Sequence, residues 1–212
     1  MTGSAQNPEG PARAFRVLVV CTANQCRSPM AEYLLRDALR AAGIPADATA
    51  DLADGRPAAG WSVGSAGTRT RGGRPMDPAA STVLAERGID GSGFVGRALT
   101  PQLIRDADLV LAATREHRGA IASLLPAALS RLFTIQQFGY LAAAAQPGTV
   151  TDPVDAGFDL LARARAARSQ VPGRTVEDDL ADPVGRPVED FRRCAGELDD
   201  AIRGMLRTVP PR

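Results

Sequence analysis

In Phe15-Arg-Val-Leu-Val-Val-Cys21-Thr-Ala-Asn-Gln-Cys-Arg-Ser-Pro-Met30 an apolar run ends on a cysteine, crosses a short polar loop and meets a proline. Phe15 to Val20 is β-branched and bounded by turn-prone residues, which predicts a buried strand. Cys21 to Ser28 reads as loop. Pro29 suits the first turn of a helix, with Ser28 as its N-cap. Met30, Leu34, Leu35, Ala38 and Leu39 keep helical spacing until Gly43, a C-cap residue. A strand that feeds a helix through a tight loop makes an anion site. Free backbone N–H groups and the positive end of the helix dipole converge there. The same field favours the nucleophilic thiolate of Cys21.

Five residues separate Cys21 from Arg27. A loop of that length can curl its amides around a phosphoryl group held above the sulfur, while the planar fork of Arg27 grips two of its oxygens. Thr22, Ala23, Asn24, Gln25, Cys26, Arg27 and Ser28 are therefore the candidate phosphate cradle. Ser28 is also placed to donate to the sulfur and help it leave. Asn24 suits a left-handed loop position.

Outward from this motif, further strands are expected at Trp61–Ala66, Ala107–Ala113 and, more weakly, Leu132–Ile135. Helices are expected from Asp77 to Gly88, Arg115 to Leu125 and Phe191 to Leu206, with a helical turn at Pro101–Arg105. Residues 136–174, rich in Ala and Arg, are expected to be helical in part. Strands alternating with helices predict an α/β fold: a doubly wound, four-stranded parallel sheet with helices on both faces, in three layers, and the phosphate loop after strand 1. One domain over 15–212 behind a flexible tail at 1–14 fits the length of 212 residues, and 44–60 reads as an excursion.

All 25 basic residues are Arg, so a Walker-type phosphate loop and a Schiff-base lysine are excluded. Three cysteines and one histidine are too few for a disulfide framework or a zinc cage, so no metal or cofactor is expected. A net charge of +1 points to neither nucleic acid nor membrane as partner. No apolar run spans a bilayer and the N-terminus lacks a signal-peptide core, so a reducing cytoplasm is expected. His117 is expected to be solvated at a helix start, Cys194 to be core, and Arg163, Arg165 and Arg168 to form a solvated helical face.

The stretch Cys21-Thr-Ala-Asn-Gln-Cys-Arg-Ser-Pro-Met-Ala-Glu32 resembles the signature of the low-molecular-weight protein tyrosine phosphatases. The resemblance continues in Ser65-Ala-Gly-Thr68, Met76-Asp-Pro78, Leu84-Ala-Glu-Arg-Gly-Ile89, Ala107-Asp-Leu-Val110, Asp182-Pro183 and Glu189-Asp-Phe191. It implies phosphomonoester hydrolysis through a phosphocysteine, with Cys21 as nucleophile, Arg27 as clamp and Ser65 in support of the loop. It also implies an Asp of an Asp-Pro pair as general acid. Of Asp77, Asp152 and Asp182, the last lies where the family's acid lies, and Asp152 is the reserve. Relatives further suggest a reversible Cys21–Cys26 disulfide; simple packing of Cys26 in the loop is the alternative.

Several positions depart from the family pattern. Val184 stands where an aromatic wall follows the Asp-Pro pair, with Trp61 and Tyr140 as possible replacements. Gln25 is neither the apolar residue of tyrosine-specific relatives nor the small polar one of protein-arginine phosphatases. Ala23 replaces a Gly and can strain the loop, Phe94 a His that buttresses Asn24, and Thr114 an Asp that ends the third strand. A phosphorylated protein or a small phosphomonoester is the expected substrate. Protein-arginine phosphatase, small-molecule phosphatase, arsenate reductase and a non-catalytic phosphate-binding module are the alternatives.

Overall fold

The computed structural model describes residues 14–46, 60–170 and 178–210. The expected tail and most of the excursion at 44–60 lie outside them. Ala14 already belongs to the first strand, and Ile44 and Ala46 are packed, with Ala46 bridging to Trp61.

The four expected strands are present: β1 (Ala14–Cys21), β2 (Gly60–Gly67), β3 (Leu109–Ala112) and β4 (Leu132–Thr134). They form one parallel sheet in the order β2-β1-β3-β4. Side chains of β1 alternate between two cores. Phe15, Val17, Val19 and Cys21 enter the larger one, and Leu18 and Val20 the smaller. Burial on both faces is why Val17 to Cys21 reads as an unbroken apolar run, while Arg16 near the strand's start is exposed.

The larger core is covered by α1 (Arg27–Ala41), α2 (Pro78–Ala85), α5 (Ile135–Ala144), α6 (Pro153–Ala167) and α7 (Val188–Leu206). The smaller lies under α3 (Pro101–Asp106), α4 (Arg115–Leu124) and a 3₁₀ turn at Pro126–Arg131. In α7, Phe191, Cys194, Ala195, Leu198, Ala201, Ile202 and Met205 are buried at helical spacing, the stripe by which the helix docks. No helix among the described residues is long and apolar enough to cross a membrane.

The Arg face expected on α6 is not simply solvated. Arg163 bonds Asp159 and the carbonyls of Gln146 and Thr208. The Arg168 guanidinium lies 3.6 Å over the Phe133 ring and donates to the Leu132 carbonyl. Of the three, only Arg165 is exposed. The irregular joins of this region hide carbonyls that long Arg side chains satisfy, so Arg163 and Arg168 fasten α6 to its neighbours.

Helices α5 and α7 meet at Gly139, where an added Cβ would lie 2.8 Å from both the Cα and the carbonyl oxygen of Ala201. Helix propensity favours Ala over Gly by about 1 kcal/mol. The obstacle here is backbone, so the two helices would have to part. Gly139→Ala is expected to destabilise the fold by about 1–3 kcal/mol, seen as a lower urea midpoint at unchanged slope. An unchanged midpoint would show that the helices separate freely.

Candidate active site

The chain leaves β1 for β2 on one side and later returns to β3 on the other, so the carboxyl end of β1 is the switch point at which such sheets bind ligands. Cys21 is the last residue of β1. The loop beyond it turns through Asn24, whose φ of 56° is the only left-handed non-glycine backbone among the described residues. Asn24 is fully buried. Its amide donates to Ser28 Oγ at 3.0 Å and Ser65 Oγ at 2.7 Å, and its carbonyl oxygen accepts from the Arg97 backbone N–H at 2.8 Å. Three side-chain bonds thus hold the one bend that a non-glycine residue adopts only with support.

Outside contacts fasten the same loop. The N–H groups of Thr68, Arg69 and Asp77 donate to the carbonyls of Cys21, Thr22 and Gln25. Those loop carbonyls are therefore turned outward to neighbouring backbone. Helix α1 begins at Arg27, and no side chain caps it. That corrects the expectation for Ser28, which lies inside the first turn and bonds the sulfur instead. Every helix from α2 to α6 has a side-chain cap, supplied by Asp77, Thr100, Thr114, Thr134 and Asp152. Only α1 and α7 lack one among these seven helices, and an uncapped N-terminus behind a nucleophile is suited to receive an anion.

Cys21 Sγ lies 2.9 Å from Ser28 Oγ. Arg27 is nearly buried and donates to the Leu180 carbonyl at 3.1 Å and to Asp182 Oδ2 at 2.6 Å, with Thr22 Oγ1 at 3.5 Å. The Asp182 side chain is 48% exposed, so it can swing from Arg27 toward a leaving oxygen. A phosphoryl dianion would replace this single carboxylate on the guanidinium. Cys21, Thr22, Gln25, Cys26, Asp182 and Val184 line the cleft. Burial pushes the Cys26 thiol up, reinforced by the nearby charges of Asp77, Cys21 and Asp182, so Cys26 stays protonated. Cys21 and Cys26 are both free thiols.

A second buried layer stands behind the loop. Glu32 and Arg36 form a buried ion pair, and Arg36 also donates to the Val63 carbonyl. Burial pushes Glu32 up and Arg36 down, each against the pull of its partner. The neighbouring Ser65 hydroxyl also pulls Glu32 down. Hydrogen bonds run from Ser65 through Asn24 to Ser28 and the sulfur.

His117 departs from its expectation. It is buried, 6% exposed, with Nε2 2.8 Å from Thr22 Oγ1 and Nδ1 2.6 Å from Thr114 Oγ1. Burial and the neighbouring Arg27 push it down, so the ring is neutral at neutral pH. A neutral imidazole donates through one nitrogen and accepts through the other, which fits a hydroxyl on each side. Thr114, in the position of the family's strand-ending Asp, caps α4 and orients this ring. The available signal was position: residues just past β3, beside β1, lie at the switch point.

A larger cleft, of about 310 Å³, lies between β1, β2 and α3, lined by Arg16, Leu18, Ser62, Gly64, Arg97 and Asp106 among others. Among the described residues no nucleophile paired with a base faces it, whereas the smaller cleft at Cys21 brings a thiol, an Arg and an Asp together.

Comparison with known proteins bears on the family and the fold. The family profile described as low molecular weight phosphotyrosine protein phosphatase matches residues 16–171. The chain belongs to this family. The protein-arginine-phosphatase of Geobacillus stearothermophilus is 31% identical over 188 residues, covering 89% of this chain and 91% of its own. The low molecular weight protein-tyrosine-phosphatase Etp of Escherichia coli K12 is 36% identical over 110 residues, 52% of this chain and 62% of Etp, so this match spans less than two thirds of that relative. The crystal structure of the low molecular weight protein tyrosine phosphatase from T. tengcongensis superposes with a TM-score of 0.63 at 28% identity, over 92% of this chain and 99% of its own.

Several expectations drawn from the phosphatase family need correction. Asp152 caps α6 through the N–H groups of Val154 and Asp155. The adjacent Pro153 carbonyl accepts from Trp61, which pairs in register with Phe15 at the opposite end of β1 from Cys21. Asp152 and Trp61 are thus remote from the site. Tyr140 lies on α5 in a groove with α7, and lines no part of the cleft. Ala23 keeps negative φ, so the expected strain is absent. Phe94 packs edge-on against Tyr33, leaving the Asn24 carbonyl oxygen to the Arg97 backbone. Asp77 is a cap, as its place at a helix start suggested. Cys194 is buried in α7, and burial pushes its thiol up to about 12.

Proposed function

We propose that this phosphatase-family chain dephosphorylates phosphorylated proteins through a phosphocysteine. The observation that carries the proposal is the convergence of Cys21, Ser28, Arg27 and Asp182 from separate segments onto one uncapped helix N-terminus. Cys21 Sγ attacks phosphorus as Arg27 and the loop amides hold the equatorial oxygens. For a phosphomonoester the P–O bond to the leaving group breaks, and Asp182 delivers its proton to the departing oxygen. Water then attacks the phosphocysteine, giving its proton to Asp182. The S–P bond breaks, inorganic phosphate leaves, and the thiolate is returned to its hydrogen bond with Ser28. The relatives named above include both tyrosine and arginine phosphatases, so both phosphoamino acids are candidate substrates. Arsenate reduction by a cysteine relay is disfavoured, because the third cysteine, Cys194, is buried within a helix.

Leaving-group dependence tests the roles. Asp182→Asn is expected to lower kcat for phenyl phosphate by about 10²-fold, and for p-nitrophenyl phosphate by clearly less, since p-nitrophenolate departs without a proton. Equal losses on both would remove Asp182 as general acid. An inactive wild type that still binds vanadate would leave a phosphate-binding module.

A further inference from the structure

The segment Arg69-Thr-Arg-Gly-Gly-Arg74 follows β2 and carries three exposed arginines. Both ends of this segment are fastened to the phosphate loop itself, through Thr68 and Arg69 to Cys21 and Thr22 on one side and Asp77 to Gln25 on the other. Its middle is pinned as well. Gly73 N–H donates to the Gly96 carbonyl at 2.7 Å, and Gly96 N–H to the Arg74 carbonyl at 2.8 Å. Gly72 and Gly73 adopt left-handed φ of 79° and 77°, which allows the tight reversal between Arg71 and Arg74. The result is a backbone-braced rim beside the cleft.

Charge on this rim is largely uncompensated. Arg69 pairs with Glu116 at 3.2 Å, and both are exposed. Arg71 and Arg74 form no ion pair among the described residues, and Asp77, the nearest acid in sequence, is engaged in capping α2. Across the cleft, Val184 is 56% exposed and offers no ring for stacking. Trp61 and Tyr140 stand elsewhere in the fold and cannot supply one. Among the described residues the cleft lining therefore has no aromatic wall, and the positive rim stands beside it on a braced backbone.

We infer that the rim recognises acidic residues flanking the phosphorylated residue, so that the preferred substrates are phosphorylated segments rich in Asp and Glu. This inference rests on the phosphatase reading above. Exposed cation–carboxylate contacts contribute up to about fivefold each and are screened by salt, and a positive rim also speeds encounter with an anionic peptide. Selectivity should therefore be about tenfold and sensitive to ionic strength.

The test uses matched peptides that differ only in Asp/Glu against Asn/Gln flanks, made with phosphotyrosine and with phosphoarginine. Hydrolysis is measured for wild type and the double variant Arg71→Ala/Arg74→Ala, with p-nitrophenyl phosphate as the flank-free substrate. Binding of the same peptides to Cys21→Ala by fluorescence anisotropy gives a readout independent of turnover. Wild type is expected to favour acidic flanks about tenfold in kcat/KM at low salt, with less preference at high salt. The double variant should lose that preference while keeping its rate on p-nitrophenyl phosphate. Equal kcat/KM for both flanks, or an acidic preference that survives in the double variant, overturns the inference. A wild type inactive on every substrate overturns the phosphatase reading alone if Cys21→Ala still prefers acidic peptides, and both if it does not.

Discussion

Cys21→Ser is expected to reduce turnover of p-nitrophenyl phosphate by roughly four to six orders of magnitude, the scale seen when an enzyme loses its nucleophile. Sulfur serves twice here. In the proposed mechanism it attacks phosphorus as thiolate, and as a good leaving group it is released when water hydrolyses the intermediate. A serine hydroxyl in the same place is un-ionised, and any phosphoester it formed would hold its phosphoryl group far longer. The exchange of one atom leaves the rest of the loop in place, because the bend at Asn24 is secured by Ser65, Ser28 and the Arg97 backbone rather than by Cys21. Orthovanadate binding, followed by calorimetry, should therefore persist in the dead variant. A rate within about tenfold of wild type would remove Cys21 from the reaction. Loss of vanadate binding together with rate would mean that the substitution unmade the cradle.

Arg27→Lys is expected to lower kcat/KM by about 10³-fold despite keeping the charge. In the structure the guanidinium reaches the Leu180 carbonyl with one terminal nitrogen and Asp182 with the other. That fork is what can span two phosphate oxygens while remaining supported from behind. An ammonium is a single, more strongly hydrated point, and here it would sit in a nearly closed site. Both kcat and KM should suffer, because the clamp holds the ground-state dianion and holds the transition-state oxygens more tightly still. The check is steady-state kinetics together with the inhibition constant of inorganic phosphate. If the Arg27→Lys enzyme kept kcat within about tenfold of wild type, positive charge alone would suffice and the bidentate argument would fall.

The two effects differ in kind from those expected at the rim. Cys21 and Arg27 touch the reacting group in the proposed mechanism, whereas Arg71 and Arg74 act on what surrounds it. A variant set that separates them divides chemistry from selection. The Gly139→Ala change serves as a stability reference, since it lies at a helix crossing and lines no part of the cleft.

Much of this was legible in the sequence because it is local. Strand β1, the loop and α1 are contiguous, and the alternation of Phe15, Val17 and Val19 with Leu18 and Val20 encodes a strand buried on both sides. The five-residue spacing between Cys21 and Arg27 likewise needs no distant partner to be read. What tertiary structure decided is which of several equivalent residues reach that loop. Three Asp-Pro pairs are alike as dipeptides, and only position along the chain favoured Asp182; chain topology carries Asp182 to Arg27 and sends Asp152 to the far end of the sheet. His117 resembles any polar residue in the first turn of a helix. Only the pairing of β3 beside β1 brings it against Thr22 and removes it from water. Local periodicity and turn chemistry act between near neighbours along the chain, while the partners of a buried polar group are chosen by how the sheet is ordered and how its crossovers return.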